Sequence, residues 1–127
     1  MSFAPLERTL ELPHLVAYGS ATWDWHRMHY DHEWARENNV PAPVVDGQML
    51  GALMAEHVLD HYGPDAFITN LGFRFTSMVF AGDTVRCESE ETARTDGVAE
   101  VAQRVLVGDR LCAEGSAKVK LSSGGER

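Results

Sequence analysis

Val44 to Gly63 reads V-V-D-G-Q-M-L-G-A-L-M-A-E-H-V-L-D-H-Y-G, and its polarity decides the fold. Asp46 suits a helix N-cap, because a short side-chain oxygen there can accept an orphan backbone N–H of the first turn. Gly63-Pro64 ends the pattern, so the spacing predicts a helix from Asp46 to about Tyr62. Its first half, Met49 to Ala55, is apolar or small nearly all the way round. A helix without a polar face must be wrapped by other structure. Glu56, His57, Asp60 and His61 restore polarity, so the C-terminal end is expected to meet water.

The C-terminal half of the chain can do the wrapping. Leu71, Phe73 and Phe75 alternate with Gly72, Arg74 and Thr76, a period of two. The apolar phase then shifts to Met78 and Phe80, which predicts a bulge or bend after Thr76-Ser77. Gly82-Asp83 turns into a strand over Thr84 to Ala93, and Asp96-Gly97 is a hairpin signal. Ala99, Val101, Val105 and Val107 share one face. After Gly108-Asp109, so do Leu111, Ala113, Gly115, Ala117, Val119 and Leu121. Three or four antiparallel strands therefore succeed one buried helix. The expected class is α+β, a single domain over residues 1–127 in which a curled antiparallel sheet encloses a long helix, the hot-dog fold. Residues 122–127, S-S-G-G-E-R, read as a frayed tail.

Upstream, Pro5, Pro13 and Gly19 break the first twenty residues, which fit a strand or two and loops. Asp31 to Asn39 reads as a short helix, stopped before the extended Pro41-Ala42-Pro43. The chain has 127 residues and a net charge of −8, which suits one domain and disfavours nucleic-acid binding through phosphate attraction. Cys87 and Cys112 form no metal-binding pair spacing and no disulfide framework. The N-terminus lacks the pattern of a signal peptide, and no apolar run approaches the ~20 residues of a membrane span. A cytoplasmic protein that does not enter a membrane is the expectation.

The chemistry concentrates in Thr22 to Asp31, T-W-D-W-H-R-M-H-Y-D. His26, His29 and His32 could be metal ligands, but steps of three on one helix spread them, and Arg27 sits among them. No metal is expected. Trp23, Trp25 and Trp34 read as core or interface residues, and His26 and His32 as surface or interface groups. Asp24 and His29 could instead form an acid–base pair across one water. Five residues apart, they miss each other on a regular helix. Asp24 must then precede the helix, in a turn leaving a strand, with the helix beginning near Trp25 to Met28 and presenting His29.

The segment D24-W-H-R-M-H29-Y-D-H-E-W-A35 resembles the signature of the MaoC-like, or R-specific enoyl-CoA hydratase, family, which runs D-x-N-P-x-H and then, some residues on, Ala. V-V-D-G-Q-M-L resembles the family's H-G-M segment at the start of the central helix, with Asp46 in place of His. F73-R-F-T-S-M-V-F-A-G-D-T-V resembles its R-F-x-x-P-V-x-x-G-D-T-V motif, with Met78 in place of Pro. His26 and Arg27 replace Asn-Pro. G63-P-D-A-F-I-T-N-L-G-F-R74 is similar to a run in small hot-dog subunits of actinobacterial steroid side-chain hydratases, which pair with a second hot-dog subunit.

The resemblance implies reversible hydration of a trans-2-enoyl-CoA thioester, one implied case being a steroid side-chain or other bulky acyl group. Asp24 and His29 would be catalytic, and the backbone N–H of Gly47 would serve as oxyanion donor. No cofactor is implied beyond the coenzyme A of the substrate. The implied partner is a second hot-dog subunit, either a copy of this chain or a different one. Arg74, Arg86, Arg104, Lys118 and Lys120 are the strand cations available to coenzyme A. Two alternatives stay open: an acyl-CoA thioesterase, for which Glu56 is the carboxylate of the right type, and a non-catalytic hot-dog partner subunit.

Overall fold

A computed structural model describes residues 2–121. The expected tail, 122–127, lies outside these residues. The elements in chain order are β1 (Leu6–Thr9), α1 (Leu12–Thr22), a 3-10 turn (Arg27–His29), α2 (His32–Glu37), α3 (Gly47–Tyr62), β2 (Phe67–Phe75), β3 (Thr84–Thr95), β4 (Val98–Val107) and β5 (Arg110–Lys120). The strands form one antiparallel sheet in the order β1-β3-β4-β5-β2. This is the hot-dog arrangement: α3 lies against the sheet's inner face, and β1 and β2 are left as the edges.

Alternation in the strands places the core. Val85 and Cys87 of β3, Val101 and Val105 of β4, and Ala113, Ala117 and Val119 of β5 are buried, and they meet Leu50, Leu53, Met54 and Val58 of α3. Each fully buried branched side chain contributes roughly 1.5–3 kcal/mol against leaving it exposed, so this double layer holds the sheet's curl. Asp46 caps α3 as expected, its Oδ1 accepting from the Gln48 N–H at 3.0 Å, and Gly63 ends the helix at a φ of 93°. Both cysteines are buried and free.

Two expectations need correction, and a third is met in one of its two forms. Leu12–Thr22 is a helix, not strand and loop. Pro13 lies in its first turn, where no N–H is needed, and Glu11 and His14 close a capping box. Gly19 belongs to the helix because the chain doubles back there: a Cβ on it would lie 2.9 Å from the Asp24 carbonyl. Of the bulge or bend expected after Thr76-Ser77, the structure has the bend, at Ser77, just past the end of β2. The next segment crosses over to bridge Val44 at Phe80. Finally, the C-terminal end of α3 is not all wet, since His57 and Val58 are buried. Phe3, arriving from the N-terminus, stacks on His61 with ring centroids 3.7 Å apart and meets His57 and Tyr62 edge-on.

No helix among the described residues is long and apolar enough to cross a membrane.

Candidate active site

The chain leaves α1 through Trp23, whose φ of 63° lies in the left-handed region. That conformation is costly for a bulky side chain. It is held by the Asp24 N–H donating to the Gly19 carbonyl at 2.9 Å. Asp24 thus emerges from a helix end, not from a strand as the sequence suggested. Its Oδ1 accepts weakly from the His26 N–H at 3.3 Å, and His26 Nδ1 accepts from the Met28 N–H at 3.0 Å. These two links wind the short 3-10 turn that presents His29.

The segment before α3 locks the imidazole. Val44 donates its N–H to the Met28 carbonyl at 2.7 Å, and Val45 donates to the Val79 carbonyl at 2.8 Å. His29 Nδ1 lies 2.8 Å from the Val44 carbonyl. A carbonyl can only accept, so Nδ1 carries a proton, and in the neutral imidazole the outward Nε2 is a bare lone pair. Nε2 stands 3.5 Å from Asp24 Oδ2 and 3.9 Å from Asp46 Oδ2. The His29 and Asp46 side chains are 12% and 16% exposed and that of Asp24 is 38% exposed, so the cluster opens to solvent on the Asp24 side.

Asp24 and Asp46 respond in opposite directions. The hydrogen bond to Asp46, aided by the His26 N–H, holds the Asp24 carboxyl below the usual carboxylate range. Burial, aided by the hydrogen bond with Asp24, pushes Asp46 above it, against the pull of the Gln48 N–H. Tyr18 of α1 feels the same charges: burial and then Asp46 and Asp24 raise its phenol. One ligand atom from each of Asp24, His29 and Asp46 lies within 4.8 Å of the others, so by distance alone they could enclose a cation. The His26 and Gln48 N–H groups engage one oxygen of each carboxylate and leave the other for the cluster.

Gly47 opens α3 beside this cluster, and its N–H is one of the orphan donors of a first helical turn. The space above its Cα is filled: a Cβ would lie 2.3 Å from the Phe75 ring. The missing side chain therefore seats Phe75 of the edge strand.

Other expectations fare unevenly. His26, His29 and His32 do not converge. The His26 ring centroid lies 6.2 Å from that of His29, and His32 opens α2 in solvent. Trp34 is half-buried, but Trp23 and Trp25 are 80% and 50% exposed and pack on each other, so neither is a core residue of this chain. Arg74, Arg86 and Arg104 are engaged by Glu114, Glu7 and Glu88 on the sheet's outer face. They line a groove of about 1010 Å³ that none of Asp24, His29 and Asp46 reaches. Glu56 is held by Arg8 through two hydrogen bonds of 2.8 and 2.7 Å. Sequence reasoning treats Asp46 as a cap alone and passes over Tyr18. The available signal for Asp46 is its place where the resembled motif carries a second titratable side chain, a histidine.

Residues 3–113 match the family described as MaoC like domain. The chain is 31% identical over 113 residues to the 3-oxo-4,17-pregnadiene-20-carboxyl-CoA hydratase beta subunit of Mycobacterium tuberculosis, covering 80% of this chain and 88% of that one. It is 30% identical over 99 residues to the peroxisomal hydratase-dehydrogenase-epimerase of Saccharomyces cerevisiae, covering 78% of this chain but 10% of that longer protein. Among solved structures, the (R)-hydratase from A. caviae superposes with a TM-score of 0.90 at 27% identity, over 96% of this chain and 95% of that one. A chain of the ChsH1-ChsH2 complex from Mycobacterium tuberculosis gives a TM-score of 0.91 at 23% identity, over 96% of both chains, a likeness of fold. The match over most of the sequence, with this fold beneath it, makes the chain a member of the MaoC-like family.

Proposed function

We propose that the chain is a hydro-lyase that adds water reversibly across the double bond of a trans-2-enoyl-CoA thioester, giving a 3-hydroxyacyl-CoA. The observation that carries this reading is the facing of Asp24 Oδ2 and the bare His29 Nε2 across 3.5 Å, next to the N-terminal end of α3. A gap of that length, open to solvent at Asp24, accommodates a water on the edge of both groups. His29 Nε2 takes a proton as the water oxygen bonds Cβ, and a proton passes through Asp24 to Cα. Negative charge then grows on the thioester oxygen, where the Gly47 N–H and the positive end of α3 stabilise it. The residues supply all of this chemistry without a cofactor.

A second hot-dog subunit completes the site in this reading. β2 is an edge of the sheet, and Phe67, Phe75 and Met78 on or beside it are exposed. An unpaired edge with apolar side chains favours a partner. The mycobacterial neighbour is a complex of two different chains, which supports a different chain as the partner; a copy of this chain is the other candidate. A steroid side-chain or other bulky acyl group is the substrate class that the mycobacterial relative suggests. Glu56, the carboxylate of the thioesterase alternative, lies late in α3 and pairs with Arg8, away from the Asp24–His29 cluster at the other end of the helix.

The test monitors the conjugated absorbance band of 2-enoyl-CoA thioesters, short-chain and steroid, with the wild-type protein and Asp24→Asn. Loss of the band without release of thiol, absent in the variant, is the expected result. An unchanged band with every acyl chain, alone and with a hot-dog partner, points to a non-catalytic subunit. Release of thiol points to a thioesterase.

A further inference from the structure

With His29 neutral, the cluster at the start of α3 holds three acceptors and no donor of its own. His29 has spent its one N–H on the Val44 carbonyl, leaving Nε2 as a lone pair. Asp24 Oδ2 and Asp46 Oδ2 face that lone pair at 3.5 and 3.9 Å. The remaining oxygens, Asp24 Oδ1 and Asp46 Oδ1, are engaged by the His26 and Gln48 N–H groups. Three acceptors crowded within 4.8 Å repel unless a proton lies among them. We propose that Asp24 and Asp46 share one proton at neutral pH, held mainly on Asp46, and that Asp46 is the reservoir from which Asp24 supplies the proton to Cα.

The assignment of the proton rests on burial. The side chain of Asp46 is less than half as exposed as that of Asp24, at 16% against 38%. The charged form is therefore the more costly one at Asp46. Burial and the Asp24 charge raise the Asp46 carboxyl in agreement with this. The groups facing Asp46 are Asp24 from the turn after α1, His29 from the 3-10 turn and Tyr18 from α1; His26 acts on it through Asp24. A half-exposed Asp24 by itself would be ionised at neutral pH and have no proton to give. Paired with Asp46, it has one.

Resting on the proposed hydration, the step conserves atoms and charge. The water O–H bond breaks toward His29 Nε2, and the water oxygen bonds Cβ. The π electron pair takes the one shared proton as it passes from Asp46 through Asp24, which closes the Cα–H bond and leaves both carboxylates ionised. The imidazolium proton then returns to the carboxylate pair.

The test starts without substrate. Carboxyl carbons of 13C-labelled aspartate are titrated by NMR in the wild type, Asp46→Asn and Asp24→Asn. Asparagine keeps the helix cap, since its carbonyl can accept from Gln48. The expected wild-type result is one aspartate titrating well above the ordinary ~3.9, absent in Asp46→Asn and moved back toward the ordinary value in Asp24→Asn. If every aspartate titrates at or below that value, the shared proton is refuted. Turnover then tests the reservoir: Asp46→Asn should lower kcat at least about tenfold and remove the alkaline fall of kcat, with the melting temperature unchanged. A variant with wild-type kcat and pH profile overturns that role. A protein that hydrates no enoyl thioester but shows the raised aspartate sinks the reaction and keeps the pair.

Discussion

Two histidine-centred clusters adjoin helix α3, and their hydrogen-bond accounts differ. At its N-terminal end, His29 Nε2, Asp24 and Asp46 face one another as acceptors, open to solvent on one side. Further along the helix, His57 is buried and fully matched. Its Nε2 lies 2.7 Å from the Ala4 carbonyl, which fixes the proton there, and its Nδ1 accepts from Ser89 Oγ at 2.7 Å. Ser89 accepts in turn from Gln103 Nε2 at 2.9 Å, and the same amide nitrogen donates to the Met54 carbonyl at 2.9 Å. Only Gln103 Oε1 lacks a partner among the buried side-chain atoms of the described residues. Residue type does not separate the clusters, since each centres on an imidazole. Convergent acceptors with solvent access leave chemistry to be done, whereas donors matched to acceptors in a dry site hold the fold together.

Substitutions at the two clusters should therefore fail differently. His29→Ala removes the base and should cut hydration at least ~10²-fold, with the melting temperature held, as read by the loss of enoyl absorbance. His57→Ala should do the opposite. It strands the Ser89 hydroxyl and the Ala4 carbonyl and should cost about 2–3 kcal/mol of stability in urea titration, while folded protein keeps its turnover. Equal loss of activity in both variants would erase the distinction.

Two glycines sharpen it further. Gly51→Ala would place a Cβ 2.4 Å from the Phe73 ring, which is half-buried against the core. A loss of about 1–3 kcal/mol is expected. Gly47→Ala meets the Phe75 ring at 2.3 Å, but Phe75 is 51% exposed and can swing outward. Its thermal shift should be the smaller of the two, and its effect should fall on activity. The least effect is chemical. Burial raises the Cys87 thiol to about 11, so alkylation near pH 8 should be negligible in the wild type and in His29→Ala. His57→Ala, by lowering stability and so raising the population of opened molecules, should make labelling measurable by mass spectrometry.

Parts of the fold and the site are legible in the sequence. Asp46, Gly63 and the polarity between them mark α3 to within a residue, because caps and stops are local. The alternation of Val101, Val105, Ala113, Ala117 and Val119 marks the inner face of the sheet, because side chains on a strand must alternate. Helix α1 escapes such reading because Pro13 and Gly19 look like breakers. Neither is one here, since Pro13 occupies the first turn and Gly19 lies under the returning chain. The meeting of Asp24 with His29 is expected through resemblance, although the left-handed turn at Trp23 that produces it is not.

What the sequence by itself determined is the wrapped helix, the strand faces and the residue types near its N-terminal end, all set by short-range pattern. What the tertiary structure decided is which polar groups face each other. His57 looked wet until the N-terminal segment brought Phe3 and Ala4 over it. Asp46 looked like a cap until the turn after α1 set Asp24 against it. Burial and the direction of a lone pair arise from segments distant in the chain, so no local pattern encodes them.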